Sequence, residues 1–231
     1  MTDVAALFPG NYEESRARFR RTLDSVVRLW PGARLGQHRL GGDEDLTIDW
    51  IEAKGLSVHE NLLILTTGEH GIEAYVGSAM LQLFIDEFVP RLSPANTGLL
   101  LVHAINPWGM KHRRRTNAAN VDLNRNFVSD GFDTSLNPDY AEINALLNPQ
   151  RTIGSLVLND LAFIARLLAA IARLGPAGIE AALTLGQYRF SRGLYYGGNA
   201  LQEETRAMMD LYRRCFGDHH RIVLLDMHTG Y

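Results

Sequence analysis

Leu62-Leu63-Ile64-Leu65-Thr66-Thr67-Gly68-Glu69-His70-Gly71-Ile72-Glu73 is an apolar run that breaks at a glycine and then presents a histidine and a glutamate three residues apart. A short apolar run of this kind, followed by a helical pattern, is how a buried parallel strand ends. Ligands of open α/β sheets bind beyond the carboxyl ends of such strands. In a turn or helix start, residues i and i+3 share a face, so His70 and Glu73 can converge on one point at the roughly 2 Å distances that zinc requires. The pair alone is a common coincidence, and a metal site needs a third ligand.

Upstream, Asn11 followed by Glu14 resembles a capping box, and Phe19, Leu23, Val26, Val27 and Trp30 then repeat at helical spacing until Pro31-Gly32. Arg34 to Leu40 and Leu46 to Ala53 flank a Gly41-Gly42-Asp43-Glu44-Asp45 turn and predict an antiparallel hairpin at one side of a sheet. Downstream, Val76, Ala79, Met80, Leu83, Phe84 and Phe88 predict the apolar face of a helix that packs on the sheet. Leu99 to Ile105 reads as the next buried strand, and the polar segment from Lys111 to Phe127 is too long for a mere connector. From Tyr140 the pattern is helical, with Leu161, Ile164, Leu168 and Ile171 on a face predicted to cover the sheet and Gly175-Pro176 closing it. A helix is expected from Asn199 to Gly217, and a last strand, Arg221 to Met227, leads into Asp226-Met227-His228-Thr229-Gly230-Tyr231. No repeat or linker is visible, so one domain over 1–231 is the expectation.

Composition bounds the function. The chain has 231 residues, 46% of them hydrophobic, and a net charge of −3, which gives no global footprint for nucleic acid or an anionic membrane. Cys215 is the only cysteine, so no intramolecular disulfide can form. The first residues lack the basic and apolar regions of a secretory signal, and Ile153 to Leu174 is interrupted by Asp160, Arg166 and Arg173, which a spanning helix would not carry. A soluble, cytoplasmic protein is expected.

Two predicted strands end in a histidine, at His70 and at His228, and parallel strands place their carboxyl ends on one rim. His70, Glu73 and His228 would then leave a fourth tetrahedral position for water, the arrangement of catalytic zinc. Such an ion brings the pKa of its water to about 7 and polarises carbonyls. His38, His59, His103, His112, His219 and His220 are read as packing or surface residues. A ligating imidazole usually gives its second N–H to a carboxylate; Asp122 and Asp226 can reach the rim, and Asp122 is assigned to His70. The arginines of the Lys111–Arg125 loop suit an anionic or carbonyl substrate. Their competing use, as a nucleic-acid patch, lacks interleaved aromatic residues.

Several separated motifs together resemble the zinc carboxypeptidase-type (M14-like) hydrolases, most closely the branch known as DUF2817. Gly68 to Glu73 resembles the first two zinc ligands of that family, Asn106-Pro107-Trp108-Gly109 its Asn-Pro-x-Gly turn, and Arg115-x-Asn117 with Asn120 to Phe127 its substrate loop. Asp226-x-His228-Thr229 resembles the third-ligand strand as written in the related aspartoacylase and succinylglutamate desuccinylase group, and Gly186-Gln187-Tyr188 with Leu194 to Gly198 resembles DUF2817 itself. The resemblance implies a three-layer αβα fold with a mixed, mostly parallel sheet and one zinc ion on His70, Glu73 and His228. It implies that Asp122 orients His70, that Arg115 stabilises the oxyanion, and that Asn124 and Arg125 hold a substrate carboxylate.

Two departures accompany it. Ile72 stands where digestive-type members carry an additional substrate-binding arginine. The family's general-base glutamate and late substrate tyrosine lie beyond the third ligand, whereas this sequence ends at Tyr231, so a truncated chain lacking its C-terminal strands is expected. Glu69 is the nearest stand-in for the base. The exposed sheet edge would then favour a homo-oligomer. The activity implied is hydrolysis of amide bonds in small carboxylate-bearing substrates, by a carboxypeptidase or an N-acyl amino acid deacylase acting on a small peptide or acyl amino acid, with no nucleic-acid or membrane partner. The rivals are a catalytically silent domain that binds metal or ligand and, with no phosphate-cradling loop to support it, a nucleotide-binding domain.

Overall fold

The computed structural model describes residues 4–57, 60–149, 154–217 and 219–229. His59, Ile153, Gly230 and Tyr231, named above, lie outside them. In chain order the elements are α1 (Tyr12–Arg21), α2 (Leu23–Val27), β1 (Arg34–Arg39), β2 (Thr47–Ala53), β3 (Asn61–Thr67), α3 (Ala74–Glu87), β4 (Thr97–His103) and α4 (Pro107–His112). They continue with α5 (Tyr140–Leu147), α6 (Leu156–Thr184), α7 (Glu203–Phe216) and β5 (Arg221–Met227). The chain forms two compact units, one from Met1–Ala118 with Glu203–Tyr231, the other from Ala119–Gln202.

The first unit holds the sheet, in the order β1-β2-β4-β3-β5. β1 and β2 form the expected antiparallel hairpin, β2 is antiparallel to β4, and β3 is parallel to both β4 and β5. Strand alternation sends successive side chains to opposite faces. Ile51, Ala53, Leu65, Leu99 and Leu101 form one core with Phe19, Val26 and Trp30 of the N-terminal helical segment and with Leu81 and Ile85 of α3. On α7, beyond the other face, the Arg214 guanidinium lies 5.9 Å from the Trp50 ring centre. The unit is thus a three-layer αβα sandwich.

Local sequence explains the ends of these helices. Asn11 Oδ1 accepts the Glu14 N–H at 2.8 Å, as the capping-box reading requires, but the Glu14 carboxylate reaches back to the Gly10 N–H rather than to that of Asn11. The α1 pattern breaks at Thr22, whose hydroxyl donates to the Phe19 carbonyl at 2.6 Å. The stripe assigned to α3 is right in part, since Ala79 is buried and Phe84 packs against the core. Met80, Leu83 and Phe88 are exposed, and the buried positions are Ala74, Gly77, Ser78, Ala79, Leu81 and Ile85. Small residues let the helix sit close to β3: a Cβ on Gly77 would stand 3.1 Å from Thr67 Cβ. Leu81 and Ile85 carry the apolar contacts of that face, and the small residues set its closeness to the strand.

In the second unit α5 packs on α6 through Tyr140, Ile143, Ala170 and Ala182. Gly175 (φ 69°, ψ 167°) interrupts α6 as expected, but a second limb resumes at Pro176, whose fixed φ suits a first turn. The face of Leu161, Ile164, Leu168 and Ile171, expected to be covered, is exposed. The first limb is apolar nearly all round, so periodicity could not choose its buried side. α7 likewise begins at Glu203 rather than Asn199.

Candidate metal centre

β3 delivers the first two candidate ligands through a turn that its glycines make possible. Gly68 has φ +71°, and a Cβ there would meet those of Ala74 and Ala104 at 2.7 and 2.9 Å. Gly71 lies against the backbone of Gly109, where a Cβ would come within 2.1 Å of its carbonyl carbon. The Gly71 and Ile72 N–H groups donate to the carbonyls of Arg115 and Arg114 at 3.2 and 2.9 Å. The Asn106 side chain caps α4 by accepting the Gly109 N–H at 2.8 Å. The His70 turn and the Arg114-Arg115 segment are therefore one docked assembly.

Gly71–Glu73 is a single 3₁₀ turn, which puts His70 and Glu73 on one side, with His70 Nδ1 2.9 Å from Glu73 Oε1. His228 arrives from the end of β5. Its Nδ1 is 3.2 Å from His70 Nδ1 and 3.6 Å from Glu73 Oε2, and the rings meet edge-on at 4.8 Å between centres. The Thr229 N–H donates to Glu73 Oε2 at 2.7 Å. Arg115 stands at the rim of this group, with Nη1 3.6 Å from Glu73 Oε1.

The donor set fits a zinc ion. Two nitrogens bound at 2.0–2.1 Å with a tetrahedral angle are about 3.3 Å apart, and the two Nδ1 atoms stand 3.2 Å apart with a carboxylate beside them. Ligand atoms of His70, Glu73 and His228 can all lie within 4.8 Å of one another. His70 is buried, while His228 and Glu73 are partly so.

The far side of His228 is equally crowded. Its Nε2 contacts Asp226 Oδ2 and lies 3.1 Å from Glu69 Oε2. Hydrogen bonding to Asp226, then to Glu69, pushes the metal-free imidazole up to about 10. Burial raises the Glu69 carboxyl against the pull of His228. Asp226 and Glu73 are also partly desolvated, yet both are held below the usual carboxylate range, Asp226 by its bonds from His228 and Thr66 and Glu73 by the Thr229 N–H and the neighbouring His70. Asp226, ranked below Asp122 in the sequence reading, is thus the carboxylate that touches a candidate ligand within the first unit. Thr66 was not foreseen; it is paired in register with Asp226, and its hydroxyl donates to Oδ1 at 2.5 Å.

The other basic residues of the loop have local uses. Lys111 and His112 pair with Glu44, Lys111 also with Glu13, and Arg113 takes the left-handed position that ends α4.

In the second unit, Asp122 is fully buried and accepts the Asn124 N–H at 3.1 Å, capping the 3₁₀ turn Leu123–Arg125. Arg125 donates to the Thr184 carbonyl at 2.8 Å and to Asn124 Oδ1 at 2.9 Å. The aromatic, glycine-rich segment closes around this turn: Tyr188 OH donates to the Arg125 carbonyl at 2.7 Å, and the Asp122 N–H donates to the Tyr196 carbonyl at 2.7 Å. These two stretches, noted separately in the sequence, form one structure.

A family model described as "Protein of unknown function (DUF2817)" matches residues 8–231. No curated protein sequence matches the chain. Among solved structures, bovine thrombin-activatable fibrinolysis inhibitor in complex with tick carboxypeptidase inhibitor is similar at TM-score 0.52 and 14% identity, covering 93% of this chain and 60% of the other. A second structure of thrombin-activatable fibrinolysis inhibitor gives TM-score 0.50 and 14% identity, covering 95% and 48%. The fold is carboxypeptidase-like, and the chain spans three fifths or less of the length of these two relatives.

Proposed function

The chain belongs to the DUF2817 family, and from that premise we propose that it is a zinc-dependent hydrolase of amide bonds in small substrates that carry a carboxylate. The observation that carries the proposal is the meeting of His70 Nδ1 and His228 Nδ1 at 3.2 Å beside Glu73. When bound, one zinc ion would supply Lewis acidity toward a substrate carbonyl and an attacking water. His70, Glu73 and His228 would hold it. Arg115, the cation beside Glu73, stabilises the negative charge that develops on the carbonyl oxygen, help of a kind worth about 10²- to 10³-fold per donor. Asn124 and Arg125 hold the substrate carboxylate through the planar fork that suits it. The substrate is a small peptide or an acyl amino acid in the cytoplasm, with no nucleic acid or membrane as partner; no described helix is long and apolar enough to cross a membrane.

A catalytically silent metal-binding domain is the second reading, favoured by one observation: Glu69, the stand-in for a general base, faces His228 Nε2 rather than the Nδ1 side. Metal analysis of protein purified without chelator, followed by hydrolysis assays with dipeptides and N-acyl amino acids, tests both. One equivalent of zinc with turnover that falls about 10²-fold or more in Arg115→Ala supports the hydrolase. Zinc without turnover favours the silent domain, and absence of zinc overturns both.

A further inference from the structure

We propose that Glu69 and Asp226 are positioning residues for His228: two carboxylates grip its Nε2 and so hold the ring with Nδ1 turned toward His70 and Glu73. This rests on the metal-centre reading above and adds to it the pair that aims one ligand.

The two nitrogens of His228 have different company. Nε2 meets Asp226 Oδ2 and Glu69 Oε2, whereas Nδ1 faces His70 Nδ1 and Glu73 Oε2. An imidazole nitrogen between carboxylates keeps its hydrogen, so the other nitrogen is the one that offers its lone pair when a cation binds. Without that grip, a half-turn of the ring about its bond to Cβ would present carbon instead of Nδ1 to the candidate metal position.

Each carboxylate is placed by the fold. Asp226 and His228 are two residues apart at the end of β5, so their side chains project to the same side. Thr66, opposite Asp226 in the β3–β5 register, donates to Oδ1 at 2.5 Å and leaves Oδ2 for His228. Glu69 comes from the turn opened by Gly68, one residue before His70. Consecutive residues of one turn thus address opposite edges of the same imidazole, Glu69 at Nε2 and His70 at Nδ1. Burying two carboxylates side by side is unfavourable unless each is paired. His228 and Thr66 supply the pairing.

The test compares the full chain with Asp226→Asn, Glu69→Gln and the double variant, measuring zinc affinity by competition with a chromophoric chelator and the visible absorption of the Co(II)-substituted proteins. Asparagine and glutamine keep the shape but weaken the grip on Nε2–H. Asp226→Asn should weaken zinc binding about 10- to 100-fold, as loss of such an outer partner does, Glu69→Gln less, and the double variant should change the Co(II) bands. Thr66→Val, which frees Asp226 without altering charge, should give a small loss in the same direction. A double variant that binds zinc as tightly as the wild type, with the same Co(II) spectrum, overturns the inference and leaves the metal centre standing. Wild-type protein that takes up no zinc overturns the metal centre and the inference together. Should Asp226→Asn fail to fold, Glu69→Gln decides: weakened binding upholds the inference, and unchanged binding overturns it.

Discussion

β4 and β5 flank the same central strand, run in the same direction and lead into a histidine at the same end of the sheet, yet the two histidines lead opposite lives. His103 is fully buried, stacked on Phe19 at 5.4 Å, with Nε2 2.7 Å from the Ser15 hydroxyl, which itself meets Ser78 Oγ at 2.6 Å. Burial, with the guanidinium groups of Arg18, Arg16 and Arg20 nearby, pushes its imidazole down to about 3. His228 lies between carboxylates and is pushed up to about 10. A strand end on that rim therefore does not by itself make a candidate ligand. Carboxylates at the ring edges, and an open side toward a second donor, set His228 apart.

The largest expected difference is in metal uptake. His228→Ala or His70→Ala should abolish stoichiometric zinc, at least a 10²-fold loss of affinity, whereas His103→Leu should keep the full equivalent; metal analysis of the three proteins decides. Zinc lost equally from the His103 variant would break the contrast.

The strands themselves differ as sharply. β4 is buried from Gly98 to His103, while β5 is a sheet edge with Ile222, Val223, Leu224 and Leu225 exposed. Leu101→Asp places a charge in the main core and should destabilise by more than about 3 kcal/mol, a size expected of an unpaired buried charge. Leu224→Asp should stay within about 1 kcal/mol. Urea unfolding of both variants measures the gap.

In metal-free protein the two histidines predict opposite pH limbs. The unfolded imidazole titrates near 6.5. A folded value near 3 means that the unfolded chain takes up the proton first, so the His103 contribution is present above pH 6.5 and is lost as pH falls toward about 3. A folded value near 10 means that the His228 contribution is present below pH 6.5 and is lost as pH rises toward about 10. Thermal melts in chelator should show His103→Leu flattening the acid limb and His228→Gln the alkaline one. If both variants flatten the same limb, the assignment of surroundings is wrong.

The smallest effect concerns the exposed edge. If a second copy adds to β5, Leu224→Lys should shift the concentration dependence of the oligomeric state toward monomer in sedimentation experiments, by a few-fold in Kd, with zinc content unchanged.

Much of this was legible in the chain. The β1–β2 hairpin, the strands β3, β4 and β5, and the break at Gly68 follow from apolar runs and glycines, because local backbone preferences and strand-length apolar runs are properties of short segments. His70, Glu73, His228 and Arg115 were picked from spacing and motif, and these four do meet. What was not legible depends on partners distant in sequence. The buried face of α3 takes in Ala74, Gly77 and Ser78 beside Leu81 and Ile85 because a neighbouring strand demanded closeness. The exposed side of α6 could not be inferred from a limb that is apolar nearly all round. Asp226 ranked below Asp122 because nothing local says that a residue 160 positions earlier, Thr66, would fix one of its oxygens.

By itself the sequence determined which segments become strands and helices and which residue types could ligate a metal, since those follow from short-range periodicity, turn chemistry and the donor atoms of each side chain. Only the tertiary structure decided what surrounds each of the two histidines, carboxylates for His228 and aromatic rings with a serine for His103. Those surroundings depend on the register of β3 against β5 and on the turn at Gly68. Together they bring Thr66, Glu69 and Asp226 to one imidazole and leave the other between aromatic rings and a serine.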